Sequence, residues 1–147
     1  MALIADDAAD RAEQLLALTQ RLRALIAAEA DAMRARLPLP DGPALEEKQR
    51  LVNAYRLEMT RIAQDNALIA TAPASTLNAL RAATQSLQDA LGRHDAELSA
   101  VRAISEGLVE AMAEDIARQE SARAGYGAKG GPAASQRAPA VVVNKTA

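Results

Sequence analysis

Residues Ser75–Arg123 read STLNALRAATQSLQDALGRHDAELSAVRAISEGLVEAMAEDIARQESAR, and their spacing decides the fold. Leu77, Leu80, Thr84, Leu87, Leu91, His94, Leu98 and Val101 recur by alternating steps of three and four, and Ile104, Leu108, Met112 and Ile116 carry the series on. This is the heptad of a helix that lays one face against other helices. Nothing in the stretch forbids helix. Gly92 and Gly107 each cost about 1 kcal/mol relative to alanine, too little to outweigh the pattern, and each marks either a bend or a place where another backbone comes close.

Upstream, the same arithmetic predicts two more helices. Leu15, Leu18, Leu22, Leu25, Ile26, Met33 and Leu37 form an apolar stripe over about residues 7–37, with Arg11, Arg21, Arg23, Arg34 and Arg36 mostly off it. Pro38-Leu39-Pro40-Asp41-Gly42-Pro43 then forces a turn, since three prolines cannot lie inside a helix. Pro43 suits the first position of a second helix over about 43–70, with Glu46 and Glu47 in its opening turn and Leu45, Val52, Tyr55, Met59, Ile62 and Ile69 on its buried face. Thr71-Ala72-Pro73-Ala74-Ser75 ends it, and either Thr71 or Ser75 is placed to cap the third helix, over 75–123. The short connection makes helices two and three antiparallel.

Downstream, Gly125-Tyr126-Gly127-Ala128-Lys129-Gly130-Gly131-Pro132 is read as the end of helix, leaving 125–147 as a disordered tail after a helical bundle over 1–124. The expected architecture is therefore an all-α, antiparallel three-helix coiled-coil bundle with an extended third helix.

Composition supports that reading and excludes several function classes. Half the chain is apolar, yet Phe, Trp and Cys are absent, so the interior is built from Leu, Ala, Ile, Val and Met, which suit the narrow seam between helices. Without cysteine there is no disulfide, thiolate zinc site or thiol nucleophile. Net charge is −2, with Lys129, Arg137 and Lys145 unaccompanied by any acid beyond Gly125, so the body before them is the more acidic part. That distribution argues against nucleic-acid binding. The first residues lack the basic start and apolar run of a signal peptide, and no run approaches the roughly 20 apolar residues of a membrane span, which reads as a cytoplasmic protein with no direct membrane insertion.

Candidate chemistry is sparse. His94 is the single histidine, and one imidazole makes neither a metal site nor a triad; it either packs and tunes helix register or forms a pH-sensitive contact. Glu46-Glu47 and Glu114-Asp115 sit on helix faces where carboxylates are solvated. No catalytic residue, metal ligand or cofactor is assigned. Tyr126, between glycines past the expected helix end, is either a docking anchor or a latch against the last helical turn.

The helix lengths carry the functional argument. At 1.5 Å per residue the first two helices reach roughly 45 and 40 Å and the third on the order of 70 Å. The third helix then outruns its companions near Val101–Ile104 and carries Ile104, Leu108, Val109, Met112 and Ile116 beyond them, bordered by Glu106, Glu110, Glu114 and Asp115. Such a stripe needs cover: a second copy in a homodimer, the tail, a fold-back of the helix itself, or a client laid in as a helix.

The chain resembles the FlgN-type flagellar export chaperones, particularly their alphaproteobacterial, FlbY-like members. The resemblance is carried by the leucine-rich first helix, Leu45-Glu46-Glu47-Lys48, Asp65-Asn66-Ala67-Leu68-Ile69, the heptads of the third helix, Ile104-Ser105-Glu106-Gly107-Leu108-Val109 within the Ala/Arg-rich run from Leu98 to Gln119, and Tyr126-Gly127-Ala128-Lys129-Gly130. It spans nearly the whole chain and departs at the proline-rich first turn and the Ala/Val tail. It implies a non-enzymatic cytoplasmic chaperone for flagellar hook-filament junction proteins, whose client site maps onto Leu108, Val109, Met112 and Ile116. It also implies that Tyr126 docks the chaperone on the cytoplasmic domain of the flagellar export gate. The rival from another class is a structural coiled-coil subunit or homodimeric module.

Overall fold

Helix forms where the apolar spacing calls for it, in the order α1 (Ala8–Arg34), α2 (Gly42–Gln64), α3 (Ala67–Ala70) and α4 (Ala74–Lys129). The structure is a computed structural model, and it describes the backbone of residues 2–129 and the side chains of residues 2–125. No strand occurs among the described residues, and the fold class is all-α as expected. The chain divides into two compact units, 1–103 and 104–147.

In the first unit the three long helical segments pack around two linked apolar clusters. Leu15 and Leu18 of α1, Ala54 of α2 and Leu80 of α4 form one; Leu22 and Ile26 of α1 and Leu87 and Ala90 of α4 form the other. Half-buried Leu51 and Tyr55 of α2 touch both clusters, so Tyr55 does pack as expected. Each buried leucine or isoleucine contributes about 1.5–3 kcal/mol. Alanines at Ala12, Ala54, Ala83 and Ala90 are buried too, which lets the backbones approach closely.

The direction of each helix follows from its ion pairs. Near the start of α1 Arg11 pairs with Glu58, while farther along Arg21 pairs with Glu47 and Glu29 with Lys48, so the later residues of α1 meet the earlier ones of α2 and α2 runs antiparallel to α1. On α4 they rise, His94 meeting Glu29 and Glu97 meeting Arg34, so α4 runs parallel to α1. Burial on α4 stops soon afterwards. Ala90 is buried and His94 and Glu97 are half-buried, whereas every residue from Leu98 to Ala103 is exposed.

Several expected boundaries are corrected. Helix α1 stops at Arg34, three residues before Leu37, because Arg36 adopts a left-handed backbone (φ 56°). The Leu37 N–H donates to the Ala32 carbonyl and the Arg36 N–H to the Met33 carbonyl, the two bonds that close a Schellman turn. The expected second helix is two helices, because Asp65 leaves helical geometry as the C-cap of α2 and its Oδ1 accepts from the Ala67 N–H. Helix α2 begins at Gly42, so Glu46 and Glu47 lie beyond its first turn; Glu47 pairs with Arg21 instead. Helix α4 begins at Ala74, so neither Thr71 nor Ser75 is its cap; the Pro73 carbonyl accepts from the Leu77 N–H.

The helix end expected at Arg123 is corrected as well. Helix α4 continues through Gly125 to Lys129, glycine being a weak breaker and proline absent until Pro132. Tyr126 therefore lies within the helical span rather than past it, and its side chain lies outside the described residues. Of the tail expected over 125–147, residues 125–129 are helical and residues 130–147 lie outside the described residues.

Candidate protein-interaction surface

Within residues 104–125 every side chain is exposed, and five of them are large and apolar. Ile104, Leu108, Met112 and Ile116 follow one another at intervals of four, with Val109 beside them, so helical geometry sets all five on one face. Their exposures are 58, 60, 56, 56 and, for Val109, 67 %. These are the residues expected to bind a partner, and the structure leaves them open to it. Burying each would release about 1.5–3 kcal/mol, which makes the stripe a candidate interaction surface.

The rest of the helix surface here is charged. Glu106, Glu110 and Glu114 stand four apart, two positions from each neighbour in the series Ile104, Leu108, Met112 and Ile116 and so on the helix face turned away from it, where like charges repel by about 0.2–0.5 kcal/mol per pair. On another side Arg118 pairs with Asp115 at 3.5 Å, and Gln119 Nε2 donates to the same carboxylate at 3.3 Å. Between Val109 and the acidic row lies a shallow hollow of about 370 Å³, lined by Ser105, Glu106, Val109, Glu110 and Ala113. Gly107 is helical, and a Cβ added there would meet nothing within 4 Å; the same holds for Gly92, so neither glycine marks a close backbone approach.

The first unit holds its charged groups for a different purpose. Glu58 is buried on α2 and accepts from the Leu3 N–H at 3.0 Å, Arg11 Nη1 at 2.7 Å and Arg61 Nη1 at 3.1 Å. Burial by itself would raise its pKa, but the Leu3 N–H, Arg61 and Arg11 together hold the carboxyl below the usual glutamate range. Lys48 Nζ donates to both carboxylate oxygens of Glu29, at 2.7 and 2.9 Å, and His94 Nε2 lies 3.0 Å from the Glu29 Oε2. His94 thus ties α4 to α1. Neither cluster was legible in the periodicity, because a glutamate on an apolar face looks like an interruption of it. Among the described residues no group of three His, Cys, Asp or Glu is placed to hold a metal ion.

A second concavity, about 590 Å³, opens where α2, α3 and α4 meet, and is lined among others by Met59, Ile62, Ile69, Leu77 and Arg81. The predicted apolar face of α2 accounts for it. Leu45 and Met59 are exposed rather than buried, because the face turned to the core is Leu51, Ala54, Tyr55, Glu58 and Ile62. The signal for this opening was the Asp65-Asn66 pair, two turn formers inside what otherwise reads as helix.

Over 131 residues the chain is 37 % identical to the flagellar basal-body protein FlbY of Caulobacter vibrioides, covering 88 % of each chain. The chain belongs to the FlbY family. No protein-family model matches it, and no solved structure does. Among the described residues of this FlbY-family chain, no helix is long and apolar enough to cross a membrane.

Proposed function

We propose that this FlbY-family chain is a cytoplasmic chaperone of flagellar type III secretion, of the FlgN type, that binds hook-filament junction proteins and delivers them to the export apparatus. The observation that carries the proposal is the exposed stripe Ile104, Leu108, Val109, Met112 and Ile116. Membership of a family whose Caulobacter member is named for the flagellar basal body supports a flagellar setting. In this reading the stripe holds an aggregation-prone amphipathic segment of the client until export, without catalysis or a cofactor, and Tyr126 contacts the cytoplasmic domain of the export gate.

The test mixes the purified chain with flagellar junction proteins and looks for a soluble complex by size-exclusion chromatography. Leu108→Asp with Met112→Asp is expected to abolish that complex, and its survival overturns the assignment of the stripe. Tyr126→Ala is expected to leave the client complex intact while weakening attachment to the export gate; equal loss of both overturns the docking role.

The relative's name favours a second reading, a structural subunit of the basal body itself. The two readings separate on where the chain resides. A structural subunit co-purifies with isolated basal bodies in fixed stoichiometry, whereas a chaperone is recovered with its clients.

A further inference from the structure

We infer that the concavity where α2, α3 and α4 meet is a second docking site, built for an apolar helical segment of another protein that carries a carboxylate side chain. It is separate from the stripe and does not rest on the chaperone reading. Its long walls are helical. On α4 the lining residues Leu77, Leu80, Arg81, Thr84, Gln85 and Gln88 follow the steps of one helix face and run about 16 Å along the axis. On α2 Met59, Ile62 and Asn66 keep the same spacing, while α3 adds Ile69 and Ala70 and α1 the buried Leu15 as floor. Because α2 is antiparallel to α1 and α4 parallel to it, the two walls run antiparallel, the setting in which a further helix completes a four-helix bundle. A space of about 590 Å³ holds several apolar side chains presented by such a helix at intervals of three and four.

Charge selects the occupant. Arg81 is the charged residue of the lining, and the polar residues beside it, Asn66, Thr84, Gln85 and Gln88, are neutral. Among the described residues Arg81 has no carboxylate partner; its Nη1 donates to Asn78 Oδ1 at 3.3 Å. The carboxylates on adjoining turns are engaged elsewhere, Glu58 by Arg11 and Arg61, Asp65 by the Ala67 N–H and Asp89 by Gln85. A guanidinium at the rim of an apolar groove takes a carboxylate through two parallel hydrogen bonds, which an amide makes only in half and an ammonium not at all. The chain's own residues beyond Gly125 do not supply that group, since they carry Lys129, Arg137 and Lys145 and no acidic side chain.

The experiment uses the full chain with Leu108→Asp and Met112→Asp, which removes the stripe as a competing surface, so that failure of this site and failure of the stripe are read apart. Three fluorescent helical peptides with one leucine face carry glutamate, glutamine or lysine beside that face, and binding is followed by anisotropy. The glutamate peptide is expected to bind about fivefold more tightly than the lysine peptide, an exposed ion pair being replaced by a repulsion, with the glutamine peptide between them. Adding Arg81→Glu is expected to reverse that order, and adding Met59→Asp to weaken all three at least tenfold. Arg81 and Met59 are both exposed, so an unchanged Tm is expected in each variant and checks that the fold is intact. Absence of binding in the stripe-deficient chain, or binding that Met59→Asp leaves unchanged, overturns the site. Equal affinity for the three peptides, or an order that Arg81→Glu leaves as it was, overturns the carboxylate. Tighter binding of dodecanoate than of the glutamate peptide, lost on Arg81→Glu, assigns the groove to a small amphiphile, and sedimentation as a dimer that Met59→Asp dissociates assigns it to a second copy; either result overturns the inference.

Discussion

Glu47 and Glu58 lie on the same helix and both pair with arginines of α1, yet only Glu58 is out of reach of water. The Glu47 carboxyl is held below its usual range chiefly by its hydrogen bonds from Arg21, but both side chains are exposed and solvent screens the pair. Glu47→Gln is therefore expected to change thermal stability little. Glu58→Ala leaves Arg11, itself mostly buried, and the Leu3 N–H without their acceptor, and is expected to cost about 3 kcal/mol, measured by urea denaturation. Because the folded Glu58 pKa lies below the ordinary value of about 4.3, its contribution is complete above that value and disappears as pH falls through the folded pKa. The gap in Tm between the native chain and Glu58→Gln should thus be smallest in acid, widen as pH rises to about 5, and stay constant above.

Helix ends are decided by local backbone choices that periodicity does not register. Leu37 continues the α1 stripe numerically, but the left-handed turn at Arg36 takes the chain out of the helix first and leaves Leu37 exposed. Arginine is not the residue that prefers this conformation. Arg36→Gly is expected to stabilise the chain by about 1 kcal/mol, read from the urea midpoint, because glycine enters the left-handed region without the Cβ clash. Gly92 presents the opposite case, a glycine inside α4 with open space where its Cβ would be. Gly92→Ala should add about 0.5–1 kcal/mol, and a loss of stability would show that the site is tighter than its geometry.

Two leucines of α4 show how the same residue type serves different ends in the two units. Leu87 is 2 % exposed between Leu22 and Ile26, while Leu108 is 60 % exposed on the stripe. Leu87→Ala is expected to destabilise by about 3 kcal/mol through the cavity it leaves, whereas Leu108→Ala should alter the Tm little. The double change Leu108→Asp with Met112→Asp should likewise preserve the Tm while reducing the fluorescence of a dye that binds exposed apolar surface, a check that its effect on partner binding is not unfolding. If instead it lowers the Tm by several degrees, the stripe is part of a folded interior.

The all-α class, the proline turn at 38–43, the α1 residues of the core and the candidate stripe were all readable from residue order alone, because helical periodicity and proline geometry are local and act before any tertiary contact forms. The stripe residues were legible for a simple reason: the spacing that makes a helix amphipathic is the same whether its apolar face is covered or not. Coverage, in contrast, is a property of neighbours. Only the tertiary structure could turn Leu51, Ala54, Tyr55, Glu58 and Ile62 of α2 inward while leaving Leu45 and Met59 of the expected face exposed, bury Glu58 and Glu29 against arginine, lysine and histidine from other helices, and leave Ile104 to Ile116 in water. Burying a charge is tolerable only where several donors converge on it, and that convergence joins residues up to 65 positions apart in the chain.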